Sequence, residues 1–469
     1  MKTKTLTLGA IALVLLAGCT MAPKYEQPPM PVEAAYAGAT DEPAAVKDIA
    51  WQDFFGDPRL KAIINLTLEN NRDLRVAALR VEQAAAQYRI ERAALLPTVA
   101  GAGGYTRSRT PAEFSMTRQP STGNQFTVGV GIASYELDFF GRVRSLKDAA
   151  LENYLATEEA RRSAEITLIA GVASQYLAER ALDEQLAIAE DTLKTVEGSY
   201  DLIKKMYDGE VVSELDLKTA ETQVHSTRAS VADIKRQLAQ ARNALVLLVG
   251  APLPADLPAP LPLGRQGIIA ELPAGVPSDL LTRRPDILQA EHTLRGANAS
   301  IGAARAAFFP SISLTGNGGF GSVELDNLFK SDSFMWSFAP SINVPIFTGG
   351  RLKANLAVTE ANQKIMLAQY EKTIQTAFKE VSDALVARTT YVDQIKAQEL
   401  RVASEQRRYD LSDTRYKQGV DSYLTVLTAQ QGLFSAQQGL VQARLAQLAN
   451  YVTLYKSLGG GWVQEQQQQ

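Results

Sequence analysis

Few residues in this chain could do chemistry, and only one of them, a cysteine, sits in a chemical context. Cys19 is the only cysteine among 469 residues, so no internal disulfide can form and a thiol catalyst is not expected. It closes the run Leu16-Ala17-Gly18-Cys19, which follows a basic start at Lys2 and Lys4 and an apolar stretch over residues 6–16. That order is a secretory signal, and its apolar core is too short to span a bilayer. Small residues ahead of a cysteine match the bacterial lipoprotein processing site, where Cys19 becomes a lipid-modified N-terminus. The competing reading is a signal peptide with an incidental cysteine. Thr20 stands where lipoproteins kept at the inner membrane often carry Asp, which favours the outer membrane.

The remaining candidates for chemistry are discounted. His225 and His292 are the only histidines, fall in different helical stretches and lack a cysteine or carboxylate cluster at ligand spacing, so no metal site is expected. Gly316-Asn317-Gly318-Gly319-Phe320-Gly321 fits a dinucleotide fingerprint and follows a strand. It opens no helix and is expected in a surface loop, which makes it a chance match. No Gly-x-Ser-x-Gly elbow supports Ser-His-Asp chemistry. The expectation is a non-enzyme with no cofactor beyond a covalent lipid on Cys19. With 48 basic against 51 acidic residues the net charge is −3, which gives no electrostatic case for nucleic acid.

What positions these residues is a unit written twice. Residues 72–250 are echoed by residues 284–459 at weak identity but in close register. Ala93-Ala94-Leu95-Leu96-Pro97-Thr98-Val99 recurs as Ala306-Ala307-Phe308-Phe309-Pro310-Ser311-Ile312, and Gly141-Arg142-Val143-Arg144 as Gly350-Arg351-Leu352-Lys353. Tyr207, Val211, Ser213 and Leu215 recur as Tyr416, Val420, Ser422 and Leu424, and the register is constant from 141 to 250. The chain divides into a signal at 1–18, a lipid-anchored extended segment with a short helix at 19–71, a first repeat at 72–250, a Pro/Gly-rich connector at 251–284, a second repeat at 285–459 and a tail at 460–469.

Each repeat carries helices longer than a globule needs. Residues 142–207 contain no proline and only two glycines, Gly171 and Gly198; at 1.5 Å per residue that is roughly 100 Å of helix. Leu182, Leu186, Ala189, Leu193, Val196, Tyr200, Ile203 and Tyr207 alternate at three and four residues. Leu217, Ala220, Val224, Thr227, Val231, Ile234, Leu238, Ala241, Leu245 and Leu248 return with the same spacing. A sustained 3.5-residue period predicts an antiparallel coiled-coil hairpin. The second copy keeps it at Val426, Ala429, Leu433, Ala436, Leu440 and Ala443, then Gln447 and Asn450 interrupt. At the tips, Gly209 and Gly419 are suited to left-handed caps and Ser213 and Ser422 to N-caps. Shorter helices are expected over 73–95 and 286–308.

Residues 125–137 alternate strictly, with Phe126, Val128, Val130 and Ile132 on one face and Thr127, Gly129, Gly131 and Ala133 on the other. In the second copy Phe334, Trp336, Phe338, Ile342, Val344 and Ile346 alternate with Ser337, Ala339, Ser341 and Asn343. Partner strands begin after Pro97 and Pro310, and residues 107–123 and 321–333 are expected as loops. Segments of this kind are the signature of outer-membrane barrel strands, the competing reading being a half-buried sheet in a soluble domain. No later stretch is long and apolar enough for a transmembrane helix, so a crossing must use strands. Four strands are too few to close a barrel. Three chains supply twelve, enough for a lumen, and the small residues Gly129, Gly131 and Ala133 suit its inner face. The expected fold class is mainly α with an antiparallel β portion, assembled as a homotrimer.

The lipoprotein start, the duplication, the strand starts at Pro97 and Pro310, and the Tyr416 to Gly419 hairpin tip resemble the lipoprotein branch of the outer membrane factor family. Trp51, Gln52, Phe54, Phe55, Asp57 and Pro58, and the Gly459-Gly460-Gly461-Trp462 ending, are also similar to that branch. The resemblance covers nearly the whole mature chain. It implies a trimeric channel-tunnel, with a barrel in the outer membrane and an α-helical cylinder in the periplasm. It also implies a periplasmic membrane-fusion adaptor and an inner-membrane resistance-nodulation-division pump as partners, contacting tips at Gly209, Val211, Ser213, Gly419, Val420 and Ser422. The implied function is a passive exit duct for small toxic compounds and antibiotics.

Carried over by position, the periplasmic gate is formed by Leu215, Asp216, Leu424 and Thr428. Relatives commonly carry Asp-Ala-Gln-Arg where this chain reads Thr428-Ala429-Gln430-Gln431, so an acidic ring and its basic neighbour are missing. The closed state then rests more on Leu215 and Leu424, with Asp216 as the remaining acid. Asp216 also fits a cap, three residues after Ser213, and the two leucines also fit the coiled-coil seam. The alternatives to a drug duct are an exit duct for secreted protein or peptide and a non-conducting coiled-coil lipoprotein.

Overall fold

The computed structural model describes residues 20–36, 49–116, 118–270, 278, 280 and 283–460. Cys19, the signal, Trp462 and the glutamine tail lie outside the described residues. The chain splits into two compact units. One comprises Met1–Pro29, Arg80–Glu158 and Gln289–Tyr370, and the other Met30–Leu79, Glu159–Leu288 and Glu371–Gln469.

The elements run α1 (Trp51–Phe54), α2 (Pro58–Asn70), α3 (Arg72–Ala93), β1 (Val99–Thr110), β2 (Ser121–Leu137), α4 (Arg142–Asp208), α5 (Glu214–Val249), α6 (Pro285–Ala306), β3 (Ser311–Ser322), β4 (Phe334–Asn343), α7 (Arg351–Lys417) and α8 (Tyr423–Ser457). Short 3₁₀ turns link some of them. Where one short helix was expected before residue 72, two are present. No described helix is long and apolar enough to cross a membrane.

The first unit holds a four-stranded antiparallel sheet in the order β1-β2-β3-β4, so β1 and β4 are its edges. Its strands outrun the alternation that announced them. Arg107 pairs with Asn124 and Thr110 with Ser121, so both ends of the loop expected over 107–123 are ladder and only 111–120 lies outside the strands. A ladder is made of backbone groups, and polar side chains such as Arg107 and Arg109 do not end it while the register holds. For the same reason the glycine-rich stretch 316–321 lies in β3, paired with β2 throughout and with β4 as far as Phe320, and is not a loop. In the other direction, β4 stops at Asn343 and leaves Val344 and Ile346 outside it. Pro345 follows without an N–H to donate. Pro340 lies inside β4, which is an edge strand within one chain. A Cβ on Gly129 or Gly131 would come within 2.8 or 2.9 Å of a β3 carbonyl oxygen, so close approach of β2 and β3 already requires glycine there.

The second unit is built on the hairpin halves of the long helices. The α4 and α7 helices each have 67 residues, α5 has 36 and α8 has 35. Along α5 the buried residues are Ala220, Val224, Thr227, Val231, Leu238, Ala241, Leu245 and Val249, which is the expected stripe, with Val249 taking the last place from Leu248. On α4, Ala189, Val196 and Ile203 are buried at heptad spacing, while Tyr207 is exposed. On α8, Val426, Ala429, Ala436 and Ala443 are buried, and Asn450 donates from Nδ2 to the Ala384 carbonyl at 2.9 Å.

The segment before α3 is clamped into this unit. Phe54 and Phe55 are fully buried, and the Phe54 ring stacks on Tyr455 with centroids 4.1 Å apart. Asp57 is fully buried and caps α2, accepting from the Arg59 N–H at 2.8 Å and from the Tyr176 hydroxyl at 2.6 Å. The connector packs on the same helix: Arg59 Nη1 donates to the Pro258 carbonyl at 2.9 Å. Gly250 ends α5 at φ 77°, and Asn71 Nδ2 donates to the Leu248 carbonyl at 2.7 Å.

Candidate functional site: the two hairpin tips

The sequence placed the working residues at the turns α4–α5 and α7–α8, both within the second unit. Both turns close identically. Val211 N–H donates to the Met206 carbonyl at 2.8 Å, and Val420 N–H to the Arg415 carbonyl at 2.9 Å. This six-residue closure needs one left-handed residue. In the second tip it is Gly419, at φ 76°. In the first it is Glu210, at φ 56°, and Gly209 is not left-handed, contrary to expectation. Constant register pairs Gly419 with Glu210, so the same backbone geometry is imposed on a residue with a Cβ. A left-handed non-glycine residue costs roughly 1–2 kcal/mol. Glu210→Gly is therefore expected to raise the stability of the assembled protein by about 1 kcal/mol per chain, read as a higher midpoint in denaturant with an unchanged slope.

The caps also differ. Ser213 and Asp216 form a full capping box, with Asp216 N–H donating to Ser213 Oγ at 3.2 Å and Ser213 N–H to Asp216 Oδ2 at 3.2 Å. Ser213 Oγ also donates to that carboxylate at 2.6 Å. Ser422 stands at the N-cap of α8 but makes no side-chain cap, because Thr425 replaces the acid three residues on; the two hydroxyls lie 3.4 Å apart. In compensation the second tip is tied by Arg415, which grips Asp421 in a bidentate pair at 2.6 and 3.0 Å. Each partner stabilises the other's charge, so the Asp421 carboxyl is held below the usual range and the Arg415 guanidinium above it.

Behind the tips a single apolar cluster joins both hairpins. Ile203 from α4, Ala220 from α5, and Tyr423, Val426 and Leu427 from α8 are buried together, flanked by Tyr200, Tyr409 and Tyr416. Burial pushes the Tyr423 hydroxyl up to about 12, and Tyr416 donates weakly to Met206 Sδ at 3.8 Å. The four gate candidates lie outside this cluster. Leu215 is 75% exposed and Leu424 64%, so neither is a seam residue of its own hairpin. Thr428 Oγ1 donates to the Leu424 carbonyl in its own helix at 2.7 Å. Val211 and Val420 are exposed at the turns.

Sequence reasoning missed the polar links between the hairpins. Gln431 Nε2 donates to Gln223 Oε1 at 2.9 Å, and Gln438 Nε2 to the Gln185 carbonyl at 3.1 Å. It also missed why the α8 stripe is irregular. A Cβ on Gly432 would come within 2.7 Å of Glu405 Oε2, and Gly439 faces Gln398. The signal was present as two glycines seven residues apart opposite two polar residues seven apart.

The family described as Outer membrane efflux protein matches residues 63–251 and 276–460, one match for each repeat. The chain is 47% identical over 469 residues to the toluene efflux pump outer membrane protein TtgC of Pseudomonas putida, covering 99% of this chain and 97% of that protein. It is 42% identical over 454 residues to the cation efflux system protein CusC of Escherichia coli, covering 96% and 97%. The open-state crystal structure of the MtrE outer membrane channel of Neisseria gonorrhoeae superposes with a TM-score of 0.86 at 43% identity, covering 94% of this chain and 98% of that one. A duplicated helix–strand–strand–helix–helix unit, matched twice over nearly its whole length, makes this chain a member of the outer membrane efflux protein family, the outer membrane factors of efflux pumps.

Proposed function

We propose that three copies of this chain form the exit duct of a tripartite efflux system, a twelve-stranded barrel in the outer membrane continued by helical hairpins in the periplasm. The observation that carries this reading is the pair of unpartnered edges, β1 and β4, on a sheet of only four strands. Exposed edges seek further strands, and a membrane admits no open edge. Pairing β4 of one copy with β1 of the next closes the ring without a new element. A lipid on Cys19 anchors each copy. A periplasmic membrane-fusion adaptor contacts the tips around Gly209, Val211, Ser213, Gly419, Val420 and Ser422. An inner-membrane resistance-nodulation-division pump supplies the energy.

The resting gate is apolar. Leu215 and Leu424 project from the first turns of α5 and α8, while Asp216 is engaged in capping and Thr428 in its own helix. Thr428 carries no charge and Asp216, while capping α5, is the one acid left near the tip, so closure rests mainly on leucines meeting across the three-fold axis. Relatives named for toluene, antibiotics and cations support small toxic solutes as cargo. The test is antibiotic and dye accumulation in cells that lack their own exit ducts and carry a candidate pump and adaptor. Accumulation should fall only when this chain is present. Unchanged accumulation with every pump of this class tried, although the protein is trimeric in the outer membrane, would overturn the drug-duct reading.

A further inference from the structure

The face of the sheet opposite Gly129 and Gly131 changes character along its length. On β2 that face is apolar or aromatic from Leu137 through Ile132 and Val130 to Phe126, and then turns polar at Asn124 and Thr122. On β1 the same face sets Tyr105 against Phe126, Arg107 against Asn124 and Arg109 against Thr122. From Leu137 to Phe126 the partner strand β3 advances ten steps, Ile312 to Ser322. That is roughly 33 Å of strand, or about 25 Å of height at a barrel tilt of about 35–45°. It matches the apolar band of a membrane barrel, so both arginines stand just above that band. They lie at the end of the sheet farthest from where α3 enters and α4 leaves. Both are exposed, and among the described residues neither guanidinium has a hydrogen-bond or ion-pair partner. Beneath them the Tyr105 ring stacks on Phe126 with centroids 4.8 Å apart, and its hydroxyl donates to Asn124 Oδ1 at 3.3 Å. Lower still, β1 presents Gly103 and Gly101, where a Cβ would meet nothing closer than 3.8 Å. The result is a cationic edge over a shallow apolar furrow.

We propose that Arg107 and Arg109, with Asn124 beside them, bind the phosphates of the phosphorylated glycolipid in the outer leaflet, one site per copy. The site requires the twelve-stranded barrel proposed above. A charge on the lipid face is costly at the bilayer midplane and nearly free at its edge. Arginines are therefore tolerated at this height, and glycolipid phosphates at the same height supply the partner they lack within the chain. Two residues apart on one strand, the arginines are spaced by about 7 Å. Each planar guanidinium can take a phosphate through two parallel hydrogen bonds. Asn124 and Thr122 can hydrogen-bond sugar hydroxyls between them. The turn linking the strands adds one acid, Glu113, and one cation, Arg118, so it does not offset the pair. The furrow below decides between a lipid and a soluble anion. Val130 is 61% exposed beside Gly101 and Gly103, a surface that an acyl chain covers and a free phosphate does not.

The test measures binding of phosphorylated lipid A to the detergent-solubilised trimer by native mass spectrometry. Changing both residues, Arg107→Gln with Arg109→Gln, should weaken binding by about tenfold or more, as expected for losing at least one charge-assisted hydrogen bond. Arg107→Lys with Arg109→Lys keeps the charge without the fork and should fall between the two. The same glycolipid stripped of its phosphates should bind the native trimer no better than lipid A binds the double glutamine variant. Excess inorganic phosphate should not displace lipid A. Equal lipid A binding by the native and double glutamine proteins overturns the proposal, as does equal binding of the dephosphorylated glycolipid. Displacement by inorganic phosphate overturns it in favour of a soluble anion. A variant that loses heat-resistant trimer yet keeps its lipid A affinity also overturns it, and shows the arginines pairing with a neighbouring copy. Heat-resistant trimer of the native chain in the outer membrane is scored first. Its absence overturns the barrel and the site together, whereas its presence with unchanged affinities overturns the site alone.

Discussion

Replacing both Leu215 and Leu424 by alanine is expected to open the resting channel. In one chain these side chains are exposed, so nothing within the protomer buries them. In the proposed closed trimer six of them meet on the axis. Full burial of a leucine contributes on the order of 2 kcal/mol. If each truncated side chain forfeits only a fifth of that, six together shift the closed–open balance by more than about tenfold. Single-channel recording of the purified protein in a planar bilayer reads this directly, as conductance at rest without adaptor or pump. Thr428→Val serves as contrast. Its hydroxyl is already spent on the Leu424 carbonyl, so that variant should conduct as the native protein does. A double leucine variant with native conductance would show that the constriction lies elsewhere.

The second large effect concerns stability. Asp57→Ala should destabilise the hairpin unit by roughly 3 kcal/mol, about 1 from the lost cap of α2 and about 2 from the orphaned Tyr176 hydroxyl. Both groups are fully buried, so water cannot take over either bond. Thermal unfolding followed by circular dichroism should show an earlier transition. Adding Tyr176→Phe to Asp57→Ala should recover part of the loss, because the stranded donor is then gone. A double variant no more stable than the single one would mean that Asp57 acts through α2 alone.

Much of this architecture was legible because it is periodic. Heptads at Ala220, Val224, Thr227 and Val231, and alternation at Phe126, Val128 and Val130, report faces that packing must bury, and the constant register between repeats doubled each signal. What escaped notice depends on backbone or on pairs distant in sequence. Glycine marks a left-handed position only when selection has put one there, and Glu210 occupies such a position unmarked. Strand lengths were underestimated because the ladder beyond Gly123 is held by main-chain groups that leave no trace in side-chain polarity. The Gln431–Gln223 link joins helices whose alignment no local pattern encodes. At the gate, the sequence left Leu215 and Leu424 between seam and pore; their exposure removes the seam reading within one hairpin. Asp216 proved to be a capping residue, which explains an acid there whether or not it also faces the lumen.

The two open edges of the sheet carry a consequence for gene dosage. A barrel whose strands find their last hydrogen bonds only in other copies owes its stability to mass action. In the regime where free protomers dominate, trimer scales with the third power of their concentration, so halving supply lowers the finished channel about eightfold. Expression level then acts as a steep valve on efflux capacity, and a modest rise in transcription yields a disproportionate rise in working ducts.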